Sequence, residues 1–170
     1  MTSAKTMAVC AMTAALSVVL MIIGGVLGLG MYASPMIAGL CLLPVGRSCG
    51  RRYQWMVWAA VSVLSLLLVP EAEQNLMYIA LFGLYPLLYP GFQRLNGRIR
   101  LLCKLAYFNV TVLAVEALVM LVLAPEAMSV LLAVVLLVMG NAVFICYDFL
   151  LPRAEGIFRR FFSGRRGRTF

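Results

Sequence analysis

Glu116 and Asn109 stand seven residues apart in the apolar run Leu101 to Leu123, LLCKLAYFNVTVLAVEALVMLVL. Seven residues is close to two helical turns, so a helix carries both on one face. The run is long enough to cross a bilayer, because ~20 apolar residues at about 1.5 Å each span its ~30 Å hydrocarbon core. At that depth a carboxylate costs about 2.5–3.5 kcal/mol on insertion scales. The face that holds Glu116 is therefore expected to meet protein, water or a ligand rather than lipid. Three arrangements satisfy this: an internal hydrogen bond between two helices, a ligand or ion site, or a neutral, protonated Glu116 near the interface. Asn141, in the last apolar run, reaches the depth of Asn109 if the two runs are antiparallel neighbours. Asn109, Glu116 and Asn141 form the candidate polar cluster for a solute. A proton relay would need further intramembrane acids or a histidine, and the chain has no histidine.

A second set is aromatic. Tyr78, Phe82, Tyr85 and Tyr89 recur at spacings of four, three and four. Such a stripe can stack on a flat ligand, with the Tyr78 and Tyr85 phenols as polar contacts, or it can serve as core packing or an interfacial anchor. Pro86 and Pro90 should bend or end the same helix. Asp148 lies near a basic end, beside Lys104 or Arg100, where a structural salt bridge is expected.

Other chemistry is excluded by what the residues lack. Without histidine there are no Ser–His or Cys–His triads. There is no GxxxxGK[ST] phosphate loop, no HExxH and no CxxC. Cys10, Cys41, Cys49, Cys103 and Cys146 read as small packing residues. No cofactor, metal site or catalytic residue is expected, and nothing argues for an enzyme.

The elements that position these residues follow from composition. Of 170 residues, 64% are hydrophobic, and mean hydropathy is +1.02. A soluble domain uses about 45–50% apolar residues, so this chain reads as an all-α integral membrane bundle. Six spans are expected: Met7 to Leu29, a short one at Pro35 to Val45 with its flanks, Tyr53 to Val69, Asn75 to Tyr89, Leu101 to Leu123, and Ala127 to Leu151, ended by Pro152. The short second span is expected to be tilted, half-buried or re-entrant. Residues 1–152 then form the membrane domain, and residues 153–170 a basic, aromatic tail. That tail either lies on an anionic leaflet or serves as a disordered orientation signal.

The charges sort by side. Lys5, the Arg47 turn, the Arg94 to Lys104 turn and the tail gather all 14 basic residues, and Glu71, Glu73 and Glu126 mark the other side. Six spans with both termini in the cytoplasm fit this split, and a bacterial cytoplasmic membrane is the expected location. The net charge of +8 then reflects membrane orientation, and no nucleic-acid partner is expected.

The first span carries Ala4, Ala8, Ala11 and Ala15, a stripe of small residues that lets another helix approach closely, either inside the bundle or from a separate membrane subunit. With its size and six spans, the chain resembles the substrate-binding S components of energy-coupling factor transporters. These small bacterial membrane proteins bind a vitamin or metal and dock on a transmembrane coupling subunit driven by two ATPases. Their first helix makes that contact through AxxxA, matched here by Ala4 to Ala8 and Ala11 to Ala15. The resemblance implies a small solute bound in the outer half, near the fourth to sixth spans. The loop at Gly28 and Gly30 would serve as a lid, and ATP hydrolysis by the partners would drive release. The alternative expectation is a structural protein of a bacterial envelope complex, with no solute, acting through its tail and lateral contacts.

Overall fold

The computed structural model describes residues 3–27, 33–122 and 130–164. The Gly28–Gly30 loop, the Glu126 turn and the last six residues of the tail lie outside the described residues. Within them the chain is helical, with no strand. The elements are α1 (Ser3–Leu27), α2 (Ala33–Leu40), α3 (Leu42–Ser48), α4 (Arg51–Leu68), α5 (Ala72–Met77), a π-helical turn (Tyr78–Phe82), α6 (Tyr85–Phe92), α7 (Gly97–Val122) and α8 (Val130–Gly164).

Three helices among the described residues are long and apolar enough to cross a membrane, at Ala4–Val26, Gly97–Leu121 and Leu137–Ala154. Only 17–22% of each apolar window is buried inside the protein. Leu67, Val110 and Leu121 are among the large side chains left on the outside. A water-soluble monomer does not leave apolar faces of this extent open, whereas a lipid-facing surface requires them.

The expected second span is two short helices. Pro44 has no N–H to give the Leu40 carbonyl, so the helix breaks at Cys41 and restarts at Leu42. The pieces sit deep, with Ala38, Leu42 and Val45 wholly buried. Gly50 then turns the chain into α4 at φ 101°, a conformation that suits glycine alone.

The expected fourth span is also divided. Here α5 passes into the π turn, in which the Gly83 amide reaches the Tyr78 carbonyl at 2.7 Å. Pro86 cannot donate to the Phe82 carbonyl, and the Tyr147 hydroxyl takes that carbonyl instead, at 3.2 Å. Another carbonyl of the turn, that of Ala80, accepts the Tyr107 hydroxyl. The turn is thus held by two tyrosines from α7 and α8.

This broken helix joins two cores. On one side Val18, Met21, Ala38, Leu42, Val57 and Val61 pack with Tyr78 and Leu87. On the other, Phe82, Tyr85 and Tyr89 pack with Phe108, Val115, Phe144 and Tyr147. The expected single stripe of aromatics is therefore corrected. The extra residue of the π turn rotates Tyr78 away from the other three rings.

A second correction concerns Pro152, which lies inside α8 rather than at its end. One missing N–H costs a single backbone bond, and the helix resumes beyond it. At 35 residues, α8 runs about 52 Å, well past the ~30 Å a bilayer core needs.

Contacts gather the two kinds of loop at opposite ends. At the basic end Cys49 Sγ lies 4.0 Å from the Thr6 carbonyl, Arg51 donates to the Leu87 carbonyl at 3.2 Å, and Lys104 meets Asp148. At the other end Gln74 donates to the Met21 carbonyl at 2.8 Å and to Ser34 Oγ at 2.6 Å.

Candidate functional site

The site lies where α7 and α8 meet beside the π turn. Gly140 of α8 makes room for a ring of α7, since a Cβ there would sit 3.2 Å from Phe108 Cζ. Phe108 stacks on Phe144 with centroids 4.7 Å apart. Next to this contact Asn109 and Asn141 face each other, as expected for antiparallel neighbours. Asn109 Nδ2 donates to Asn141 Oδ1 at 3.0 Å, and Asn141 Nδ2 returns the bond at 2.9 Å. Each amide gives its other proton to the carbonyl four residues back, Leu105 and Leu137, at 2.8 Å. Both NH2 groups are fully used and each side-chain oxygen already accepts one bond, so this pair joins two helices and offers no free donor to a solute.

Beyond the pair a cavity of about 450 Å³ opens between α7, α8 and the π turn. This volume falls within the ~300–1,000 Å³ of small-molecule sites. Phe82, Phe108, Val112 and Leu137 wall it, and Glu116 is the one charged lining residue among the described residues. Leu113, Met139 and Val143 line it too and are 57%, 62% and 45% exposed, so the cavity opens sideways onto the surface that would face lipid. No hydrogen bond or ion pair reaches Glu116 from the described residues. The nearest basic residue along α7, Lys104, is twelve positions away, about 18 Å.

No family model, curated protein or solved structure matches the chain.

The expected polar cluster therefore separates. Glu116 lines the cavity; Asn109 and Asn141 do not, because their amides close on each other. Tyr78 and Tyr85 do not line it either. Tyr78 is wholly buried in the other core, with no partner for its hydroxyl. Tyr85 is wholly buried and donates to Asp148 Oδ1. Asp148 in turn receives Lys104 Nζ at 2.6 and 2.8 Å. Lys104, only 4% exposed, also stands over the Tyr89 ring at 4.8 Å. The Asp148 salt bridge was expected, and Lys104 rather than Arg100 makes it. The part played by Tyr85 was hidden, because a phenol nine residues from the nearest charge in sequence gives no sign of it.

Gln74 is the other polar residue that sequence reasoning missed. It is wholly buried, ties α5 to α1 and α2, and leaves its Oε1 beside Gly25 without a partner. Ala4, Ala8, Ala11 and Ala15 are all exposed. The opposite side of α1 faces inward through Thr6, Ser17, Val18 and Met21, with Ser17 Oγ donating to the Ala38 carbonyl at 3.3 Å. The alanine stripe thus lies on the outside of the bundle, and packing within it is not its role. No group of residues able to hold a metal ion occurs among the described residues.

The amide pair predicts its own response to substitution. Asn109→Leu strands the Asn141 amide, and the loss should reach about 1–2 kcal/mol, the upper range for interhelical hydrogen bonds in membrane proteins. Asn109→Leu with Asn141→Leu should cost less than the sum of the single changes. Thermal unfolding in mild detergent gives the coupling directly, and strict additivity would show that the pair does not act as a unit.

Proposed function

We propose that the chain is a six-span protein of a bacterial cytoplasmic membrane, with both termini in the cytoplasm, that binds a small solute beside Glu116. In this reading it serves as the solute-binding subunit of an uptake transporter of the energy-coupling factor kind. A coupling subunit with its ATPases docks on α1 through Ala4, Ala8, Ala11 and Ala15. The observation that carries the reading is the cavity itself: an unpartnered carboxylate in an apolar space of ligand size, between helices that would sit in lipid. A carboxylate there is costly, and a solute that uses it offsets the cost. Two further features support the reading. The alanines face outward, where another helix can reach them. Contacts of the basic loops and of the segment after Glu71 lie at opposite ends of the bundle.

Purification from native membranes in mild detergent, followed by mass spectrometry of proteins and small molecules, tests this. Recovery of a coupling subunit with ATPases, or of one solute per chain, is the expected result. Recovery of envelope proteins with neither solute nor ATPase would replace the transporter with a scaffold. The docking face has its own check. Ala8→Trp together with Ala11→Trp should abolish co-purification of the coupling subunit, while the chain still folds, since both positions are exposed. A complex that survives both tryptophans would place the contact elsewhere.

A further inference from the structure

We infer that the Glu116 cavity takes an organic cation with an apolar body; this rests on the cavity being a solute site, as proposed above. The charge argument comes first. Among the described residues Glu116 is the only charged one in the lining, and no basic side chain of those residues pairs with it. Lys104 is occupied by Asp148 at the other end of α7. An anion would meet a carboxylate with no compensating cation. A sugar-like solute would leave most of its hydroxyls unpaired against apolar walls, at a cost of about 1–3 kcal/mol for each buried group. A bare metal ion needs several oxygen ligands, and the lining supplies one carboxylate.

The walls then select the body of the ligand. Phe82 and Phe108 present aromatic surface, which attracts cations through the ring quadrupole. Met77, Met120 and Met139 add unbranched thioethers that adapt to varied apolar shapes. Carboxylate, aromatic rings and pliable thioethers in one space match a charged nitrogen or phosphorus centre carried on hydrocarbon. The sideways opening lets such a molecule enter from the bilayer, where lipophilic cations partition.

Radiolabelled tetraphenylphosphonium provides the test, with tetraphenylborate as an anion of the same shape and triphenylphosphine oxide as a neutral analogue. Each is titrated onto the purified full chain in mild detergent, with protein-free micelles as background. Saturable binding of the phosphonium, one per chain, is expected, with no saturable binding of the borate, which is titrated by itself because the two ions pair in solution. Glu116→Gln should weaken phosphonium binding about tenfold or more, the effect of removing roughly 1.4 kcal/mol. The same variant should hold the neutral analogue unchanged, which also shows that it is folded. Ala117→Phe, on the exposed wall of the cavity, should exclude both. If phosphonium and neutral analogue bind alike and Glu116→Gln alters neither, the cation preference is wrong and the solute cavity stands. If no probe binds saturably, or if Ala117→Phe changes nothing, both readings fall.

Discussion

Asp148→Asn is expected to destabilise the folded protein by about 3 kcal/mol, the low end of the loss when removal of one partner strands a buried charge, because Asp148 itself is 25% exposed. The reason is the position of Lys104. Lys104 is 4% exposed, and its ammonium has Asp148 as its countercharge, at 2.6 and 2.8 Å. The ring of Tyr89 at 4.8 Å would remain, but a ring quadrupole is worth far less than a carboxylate. Tyr85 loses a charged acceptor in the same step. Removing the whole unit should be much milder than breaking it. Lys104→Met with Asp148→Leu and Tyr85→Phe leaves no stranded charge and no stranded hydroxyl, and apolar replacements of buried pairs are often neutral. Thermal unfolding of the parent chain and these two variants in one detergent measures this. A loss under about 0.5 kcal/mol for Asp148→Asn, the range of ordinary surface changes, would show that Lys104 finds water or lipid headgroups instead.

Gly39→Ala is expected to cost about 3 kcal/mol, the upper end for overpacking, although it adds a single methyl group. A Cβ at Gly39 would fall onto the Phe82 carbonyl, within 2.9 Å of both its carbon and the Tyr147 hydroxyl. The obstacle is backbone, which cannot swing aside as a side chain can. The displaced atoms are those by which Tyr147 holds the π turn, so the damage should spread to the contact between α2 and α8. Gly91→Ala is the internal control. It lies in α6 with nothing within 4 Å of its added Cβ, and should gain up to about 1 kcal/mol from helix propensity. Equal stability for the two alanine variants would mean that α2 does not press on the π turn as closely as described.

Much of the architecture was legible, and what escaped had particular causes. The turns after Arg47, at Glu71 and at Arg94 were visible because charges leave the bilayer core; the expected basic turn was drawn too long, since α7 starts at Gly97 and carries Arg98, Arg100 and the buried Lys104 within the helix. Lys104 with Asp148, and Asn109 with Asn141, were visible because polar groups at matched depth seek each other. The direction of α1 was harder. In lipid the outer face is as apolar as the inner one, so hydropathy does not distinguish them. The useful signal was Thr6, Thr13 and Ser17, small hydroxyl residues at spacings of seven and four; Thr6 and Ser17 are buried and Thr13 is half-buried, while the alanines lie opposite. The break at Cys41 was present in Pro44, which withholds an N–H from the residue four back. The aromatic stripe failed because helical spacing assumes 3.6 residues per turn throughout, and one π turn invalidates the count beyond it. Pro152 misled because loss of one hydrogen bond was read as loss of the helix. The cavity was not legible at all. It is a gap between helices, and sequence describes the residues around a space without describing the space.

The π turn has a mechanical meaning as well. It holds one residue more than an α turn would, so relaxing it to α geometry would wind everything beyond it by about 100° about the helix axis. Tyr85 and Tyr89 would then leave Asp148 and Lys104, and Phe82 would swing off the cavity wall, all in one stroke. The wall of the cavity and the ion pair at the far end are geared to the same shaft. The two tyrosines that grip the Ala80 and Phe82 carbonyls act as its brake.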